Sequence, residues 1–201
     1  KIRILAELTK LRQICCDPRL HYEDYKAGSA KLDTCMELVH GALGGGHRIL
    51  LFSQFTGMLD IIGKRLAKED IAFLKLTGAS SKESRAKMVA QFQAGEVPVF
   101  LISLKAGGVG LNLTAADVVI HYDPWWNVAA QDQATDRAHR IGQQHTVTVY
   151  KLIAKDTIEE RIMQMQESKR DLVNSVLGGD GISSALFTRE DVLALLGGDG
   201  R

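Results

Sequence analysis

The chain has 201 residues, of which 45% are hydrophobic and 24% charged, a composition typical of a soluble globular protein. Its formal net charge of +1 excludes a strong overall field, so any binding of nucleic acid must come from a local cluster of cations. No apolar run approaches the roughly 20 residues that cross a bilayer, and the three cysteines lack metal-ligand spacing, which predicts an intracellular protein with free thiols and no membrane contact.

Helical periodicity opens the chain. Residues 2–14 place leucines and isoleucines at helical spacing, and Pro18 predicts that this helix ends just before it. A linker follows, and a second helix is predicted from Lys31 to Leu43, ended by three consecutive glycines. Near the other end, a long charged helix is predicted from Asp156 to Leu177, and a short helix after Thr188.

Between these helices lie five short apolar runs with the length and β-branching of buried strands. They are RILLFS, IAFLKLTG, PVFLIS, DVVIHYD and TVTVYKLI. One connecting segment, SSKESRAKMVAQFQAG, is a predicted helix with a capping box of Ser80 and Glu83 and an end at Gly95. Strands that alternate with helices predict an α/β fold, a parallel sheet with helices on both faces.

Small and polar residues collect where four of these strands end. Ligand chemistry gathers at the carboxyl ends of strands in an open parallel sheet. Hydroxyls and glycine N–H groups bond phosphate oxygens, and an exposed aromatic ring can lie against a nucleic acid. Together these strand ends predict contact with a sugar-phosphate chain, although LKAGGVGLN fits a tight turn equally well. The residues are Ser53 and Gln54, Thr77 and Gly78, Ser103 and Lys105, and Trp125 to Asn127.

The segment QDQATDRAHRIGQ carries two arginines at helical spacing. Gln133, Arg137 and Arg140 are four and three residues apart, which predicts one helical face beside a stripe of alanines that would seat the helix on the sheet. Such a pair of arginines suits contact with a phosphate group. A surface ion pair between Asp136 and Arg140 is the alternative, but it explains Arg140 alone.

Two further segments imitate nucleotide or metal motifs. GMLDIIGKR has one residue too many for a phosphate loop and Arg65 where Ser or Thr would hold magnesium, so an amphipathic helix is predicted there. Asp123 ends a strand before Pro124, and we interpret it as a turn residue rather than a magnesium ligand. The six histidines form no H-x-x-x-H pair, and no metal site is predicted.

Four segments resemble successive motifs of the carboxyl-terminal lobe of Swi/Snf-type ATPases of helicase superfamily two, which are chromatin remodellers and translocases on double-stranded DNA. They are ILLFSQF, LTGASSKESRAKMVAQFQ, VFLISLKAGGVGLNLTAADVVIHYDPWWN and QDQATDRAHRIGQ. The resemblance covers residues 1–177 and is most specific from Val99 to Gln143. It implies a helical segment and linker from the first lobe at 1–30, a RecA-like lobe at 31–155, and a brace helix with a helical extension at 156–201.

The resemblance also implies how nucleotide would be used. Arg137 and Arg140 would be arginine fingers, with Gln133 nearby, facing ATP and Mg²⁺ that are held mainly by the amino-terminal RecA-like lobe of the same parent protein. Val128 departs from the family, which usually has proline there. The chain contains no phosphate loop and no acidic D-E-x-H box, so we expect it to be one lobe of a longer protein and to hydrolyse no ATP by itself.

The matching motifs imply a second set of residues that contact double-stranded DNA. The implied protein is intracellular and DNA-associated, in the cytoplasm or nucleoid of a bacterium or archaeon or in a eukaryotic nucleus. Residues that couple nucleotide state to DNA would be Gly108, Gly110 and Asn112, and residues that touch the DNA would be Lys105 and Trp126, with Gln54, Thr77, Gly78 and Ser103 as phosphate contacts.

Two other functions remain open from the sequence. The lobe could belong to an RNA helicase, but HRIGQQ places Gln143 where that group usually carries a further arginine. A non-catalytic module that only binds nucleic acid or a partner is the other alternative. It would predict that the paired arginines are dispensable for ATP hydrolysis by the parent protein.

Overall fold

The structure, a computed structural model, describes residues 2–106, 111–125, 128–139, 143 and 145–177. Among these residues, no helix is long and apolar enough to cross a membrane. The short helix predicted after Thr188 lies outside the described residues.

Helices and strands alternate along the described chain, as the sequence predicts. A single turn of 3₁₀ helix, Pro18–Leu20, follows the first α-helix, which the proline ends. The α-helices are α1 (Ile2–Cys16), α2 (Ala30–Gly44), α3 (Thr56–Lys68), α4 (Lys82–Ala94), α5 (Val128–Thr135) and α6 (Ile158–Leu177), and the strands are β1 (Ile49–Ser53), β2 (Phe73–Leu76), β3 (Val99–Ser103), β4 (Val118–His121) and β5 (Thr148–Lys151).

The five strands form one parallel sheet in the order β2-β3-β1-β4-β5. The predicted α/β fold is therefore confirmed. The three central strands β3, β1 and β4 are buried along their whole length, which accounts for their unbroken apolar sequences. The prediction that the fifth strand is buried was wrong, because β5 is an edge strand and all four of its residues are exposed.

Alternate residues of the sheet enter two separate cores. In β1, Ile49 and Leu51 face the core that is shared with α2 and α3, whereas Leu50 and Phe52 face the core on the side of α4. On the first side, α3 lies close to β2, since a Cβ atom at Gly63 would lie 2.9 Å from the Phe73 ring. Gly63, the second glycine of the segment that imitates a phosphate loop, is thus explained by this close packing.

The helix α4 begins one residue later than predicted. Its N-cap is Ser81, whose hydroxyl accepts a hydrogen bond from Ser84 N at 3.1 Å. The predicted cap at Ser80 was wrong, because the Ser80 hydroxyl is used in the preceding turn, where it accepts from Thr77 N. The predicted end was confirmed, since Gly95 adopts the left-handed conformation with φ of 81°.

The first and last helices pack on each other and on the lobe. The carbonyl of Cys16, the last residue of α1, accepts hydrogen bonds from the Tyr122 and Ser29 hydroxyls. At the start of α6, Glu159 forms a buried ion pair with Lys31 of α2. The structure therefore contains α1 and α6 as integral parts of the lobe, and the boundaries predicted at residues 30 and 155 stay predictions.

Candidate nucleotide and DNA interface

The sheet order brings the predicted strand ends to a single edge. In the spatial order β2, β3, β1, β4, the strands end at Leu76, Ser103, Ser53 and His121, so the segments that follow them lie side by side. Because the strands are parallel, loops that are far apart in sequence share this edge.

The predicted phosphate contacts differ in how accessible they are. Lys105 and Gly78 are exposed, and Thr77 is partly exposed with its hydroxyl accepting from Ala79 N at 3.3 Å. Ser103 is only 1% exposed, and its hydroxyl accepts from Ala106 N at 3.3 Å. In this structure Lys105 and Gly78 are therefore open to a ligand, whereas Ser103 shapes the turn that presents Lys105.

The carboxylate of Asp123 joins the ends of β1 and β4. It is 1% exposed and accepts hydrogen bonds from the Ser53 hydroxyl and from the Gln54 side-chain amide, each at 2.5 Å. The backbone N–H of Gln54 points to the same carboxylate, at 3.3 Å from Oδ1. The side-chain amide of Gln54, a predicted phosphate contact, thus donates to Asp123 in this structure.

Asp123 does not fit a magnesium ligand. Both of its oxygens are occupied by protein donors, and the described residues contain no group of three or more His, Cys, Asp or Glu side chains that could hold a metal ion. The interpretation of Asp123 as a residue that shapes the chain before Pro124 agrees with this geometry. The number of donors that converge on it was not foreseen.

The backbone after Asp123 is held by side chains from three helices. The Pro124 carbonyl accepts from Arg12 Nη2 of α1 at 2.5 Å. The Trp125 N–H donates to Gln131 Oε1 of α5 at 3.2 Å, and the Trp125 carbonyl accepts from the Gln166 amide of α6. Sequence reasoning missed all three side chains.

A signal for two of these side chains was nevertheless present in the helical periodicity. Arg12 lies four residues after Leu8 and four before Cys16, both fully buried, and Gln166 lies four residues after the buried Ile162. Each is thus a polar residue on the buried stripe of its helix. The tryptophan ring of Trp125 is partly buried against the core on the α4 side, and Trp126 lies outside the described residues.

The connection from β3 to β4 is anchored at both ends by α4. Arg85 donates to the Ala106 carbonyl at 3.0 Å, and Gln93 accepts from Ala115 N at 2.8 Å. Asn112 in this connection is exposed. The predicted coupling residues Gly108 and Gly110 lie outside the described residues.

The segment with the paired arginines is only partly helical. The helix α5 ends at Thr135, so Arg137 lies in the turn that follows, and the prediction that Gln133 and Arg137 share a helical face was wrong. Gln133 is exposed, whereas Arg137 is 5% exposed. Arg140 lies outside the described residues, and with it the alternative ion pair between Asp136 and Arg140.

The turn that carries Arg137 is tied to the β3–β4 connection. The Arg137 carbonyl accepts from Leu113 N at 3.1 Å. The Gln143 amide nitrogen lies within hydrogen-bond distance of the carbonyls of Thr114, Ala116 and Ala138, at 3.1, 2.7 and 3.1 Å. The residue that separates this chain from the RNA helicase pattern therefore binds the two segments together.

A buried histidine supports α5 from below. His121, the last residue of β4, is 2% exposed, stacks on Phe52 and pairs through Nε2 with the Thr135 hydroxyl at 2.9 Å. Burial lowers the pKa of His121 to about 4, with a smaller contribution from the positive charge of Lys151. The ring is therefore neutral at neutral pH, and it connects the sheet to the end of α5.

The parallel sheet with a polar carboxyl edge is typical of nucleotide-dependent α/β lobes, and comparison with known proteins identifies the class as helicase-type. A family model, the helicase conserved C-terminal domain, matches residues 30–142, more than half of the chain. The chain is 44% identical over 193 residues to an uncharacterized ATP-dependent helicase of Mycoplasma pneumoniae. The aligned region covers 96% of this chain and 19% of that protein. It thus spans about a fifth of the length of that relative.

Solved structures narrow the family. The SWI2/SNF2 ATPase C-terminal domain of Sulfolobus solfataricus superposes with a TM-score of 0.72 at 33% identity, covering 96% of this chain and 80% of that one. The core of the SWI2/SNF2 ATPase from the same organism, in complex with double-stranded DNA, gives a TM-score of 0.74 at 37% identity, covering 96% and 41%. The chain belongs to the helicase C-terminal domain family, as the carboxyl-terminal lobe of a SWI2/SNF2-type ATPase.

Proposed function

We propose that this lobe works in an ATP-dependent translocase on double-stranded DNA, together with an amino-terminal RecA-like lobe of the same protein. The observation that carries the proposal is the set of hydrogen bonds that joins two segments at the carboxyl edge of the sheet. Leu113 N and Gln143 tie the β3–β4 connection, with exposed Lys105 and Asn112, to the turn that carries Arg137. A shift of the arginine segment on nucleotide hydrolysis would therefore move the β3–β4 connection, where DNA is proposed to bind.

The arginines supply fixed positive charge to a nucleotide held by the other lobe. A guanidinium fork stabilises the charge that spreads over the terminal phosphate, and removing such a finger typically costs about 10³- to 10⁵-fold in rate. We assign this role to Arg137 and Arg140, with Gln133 beside them. Since Arg137 is 5% exposed, its contact with nucleotide requires a rearrangement of the turn after α5.

ATP and Mg²⁺ would be bound mainly outside this chain. The carboxylate of Asp123, at the ends of β1 and β4, is occupied by donors from Ser53 and Gln54. Bound ATP would supply the chemical energy of phosphoryl transfer. This lobe would add cationic side chains and exclude water from one side of the nucleotide.

DNA would be held by its backbone. Lys105, Gly78, Thr77 and the segment that leads to Trp126 lie along one edge and offer a cation, N–H groups and a hydroxyl, which read phosphate and sugar rather than base sequence. Such contacts suit a motor that moves along any sequence. The protein would accordingly be associated with DNA in the cell.

The test uses the full-length protein with Arg137→Ala and Arg140→Ala, and with Arg161→Ala as a control at an exposed arginine of α6. We expect each of the first two variants to lose DNA-stimulated ATP hydrolysis by about 10³-fold or more, while Arg161→Ala keeps the wild-type rate. Phosphate release is measured with and without double-stranded DNA. Wild-type turnover in both arginine variants would favour the non-catalytic binding module instead.

A further inference from the structure

The loop that leads from β4 to Trp126 is held at three consecutive residues, and the elements that hold it include helices from both ends of the chain. Asp123 is bound by the end of β1, Pro124 by α1, and Trp125 by α5 and α6. Arg12 and Gln166 lie outside residues 30–142, the part that matches the family domain. Two flanking helices thus reach the carbonyls of two adjacent residues in the same loop.

Burial of the charged Arg12 side chain costs desolvation free energy, which its contacts must offset. It is 2% exposed, and burial lowers the pKa of its guanidinium, while the nearby carboxylate of Asp123 raises it. Its Nη2 donates to the Pro124 carbonyl, and the guanidinium lies over the Phe55 ring with its centre 5.7 Å from the ring centroid. A charge-assisted hydrogen bond of this kind is stronger than a neutral one and fixes the carbonyl in direction.

Gln166 supplies the matching contact from α6. It is 8% exposed, and its amide donates to the Trp125 carbonyl. Because α1 and α6 pack on each other, the two donors approach the loop from one joint surface. Pro124 and Trp125, whose carbonyls are held in this way, immediately precede Trp126 in the chain.

We propose that Arg12 and Gln166 are positioning residues that hold the loop before Trp126 in the conformation that engages DNA. This inference rests on the proposed function, because the DNA contact of Trp126 belongs to it. The two residues touch neither nucleotide nor DNA in this scheme. Loss of either one frees the loop and weakens the coupling of ATP hydrolysis to movement along DNA.

The first experiment measures the loop directly in the 201-residue chain. Trp125 and Trp126 are its only two tryptophans, so acrylamide quenching of tryptophan fluorescence reports on this loop alone. The variants are Arg12→Met and Gln166→Met, and the matched controls are Lys10→Met and Gln164→Met, which are exposed on the same two helices. Loss of the bond from the charged Arg12 shifts a local opening equilibrium by about tenfold or more, and loss of the neutral Gln166 bond by about two- to tenfold. Quenching should therefore rise in both variants, more in Arg12→Met, and stay at the wild-type value in the controls.

The second experiment measures coupling in the full-length protein. We expect Arg12→Met and Gln166→Met to lower the number of base pairs moved per ATP and to raise the DNA concentration for half-maximal stimulation, with the KM for ATP unchanged. Arg12→Lys should restore coupling in part, because it keeps the charge and a donor. A purely structural role would instead lower the amount of folded protein without changing this ratio.

The outcomes separate the inference from the proposed function. Unchanged quenching in folded Gln166→Met would overturn the positioning role, and this variant carries the test if Arg12→Met does not fold. Raised quenching with a wild-type number of base pairs moved per ATP would overturn the link to movement. A wild-type protein without DNA-stimulated ATP hydrolysis would contradict the proposed function, whereas the quenching result would still decide the conformation of the loop.

Discussion

Single side chains on this lobe are used to join segments that are distant in sequence. Gln143 is the clearest case, since one amide group contacts carbonyls of the β3–β4 connection and of the turn after α5. His121 does the same between the sheet and Thr135, and Asp123 between β1 and β4. Buried polar side chains are costly unless they are hydrogen-bonded, so each of these groups restricts the backbone around it to one arrangement.

His121 makes stability depend on pH in a defined window. Burial lowers its pKa from 6.5 to about 4. As the pH falls below 6.5, His121 is protonated in the unfolded chain, whereas in the folded chain it is protonated only near pH 4. The contribution of this residue is therefore fully present above pH 6.5 and is lost as the pH falls from 6.5 to about 4. A shift of this size corresponds to about 3 kcal/mol in the free energy of unfolding.

The prediction is tested by urea unfolding of the chain between pH 4 and pH 7.5, a range that spans the change in the pKa of His121 from 6.5 to about 4. His121→Gln keeps a group that can bond Thr135 but cannot titrate, and it should flatten the curve below pH 6.5. His139→Gln, at an exposed histidine, should keep the wild-type slope. An unchanged slope in His121→Gln would show that other groups cause the loss.

At the scale of elements, α6 is attached to the lobe by an ion pair in the interior. Lys31 and Glu159 are 7% and 0% exposed, and the same carboxylate oxygen accepts from Ala154 N at 2.8 Å. Burial raises the pKa of Glu159, while the positive charge of Lys31 opposes this shift. Removing one partner leaves a buried charge unpaired, which is far more costly than losing a surface ion pair.

We expect Glu159→Gln or Lys31→Met to lower the free energy of unfolding by about 3–5 kcal/mol. The double variant Lys31→Met/Glu159→Gln should cost less than the sum of the two single changes, because neither charge is then left alone. The exposed pair of Lys75 and Asp60 is the control, and breaking it should cost at most about 1 kcal/mol. Strict additivity in chemical denaturation would contradict this account of the buried pair.

The sequence was most informative about elements whose pattern is local. The helices α1 to α4 and the strands followed from periodicity and glycine signals, because these depend on neighbouring residues alone. The exposed position of β5 did not, since it depends on strand order. The contact of Arg12 with Pro124 spans 112 residues and that of Gln166 with Trp125 spans 41, so periodicity could show both side chains to be buried but not what they hold.

The paired arginines show the same limit at the candidate site. The motif QDQATDRAHRIGQ predicted phosphate contacts through residue type, and that function stays a proposal. The placement of Arg137 on a helical face failed because α5 ends two residues earlier, where Ala138 N and His139 N turn back to the Thr135 carbonyl. The sequence thus did not show where α5 ends, and with it the placement of the Arg137 side chain.

At the scale of the whole molecule, the proposed function assigns to this chain one side of a nucleotide site that needs two lobes. Its carboxyl edge offers cations and an arginine segment, but Asp123 is occupied by protein donors and the described residues contain no group that could hold a metal ion. Phosphoryl transfer requires Mg²⁺ and a cradle for the phosphates in addition to arginines. With a net charge of +1, the proposed binding of DNA would depend on this edge rather than on the overall electrostatic field.

We therefore expect the 201-residue chain to release no phosphate from Mg-ATP above background, with or without double-stranded DNA, whereas the full-length protein does so in a DNA-dependent way. Phosphate release at equal molar concentrations checks this, and the Arg137→Ala chain serves as the blank. Turnover by the chain that requires a divalent metal and disappears in Arg137→Ala would show that a complete nucleotide site lies within these residues. In that case the arginines would act on a nucleotide bound by their own lobe, and the role assigned to the other lobe would be wrong.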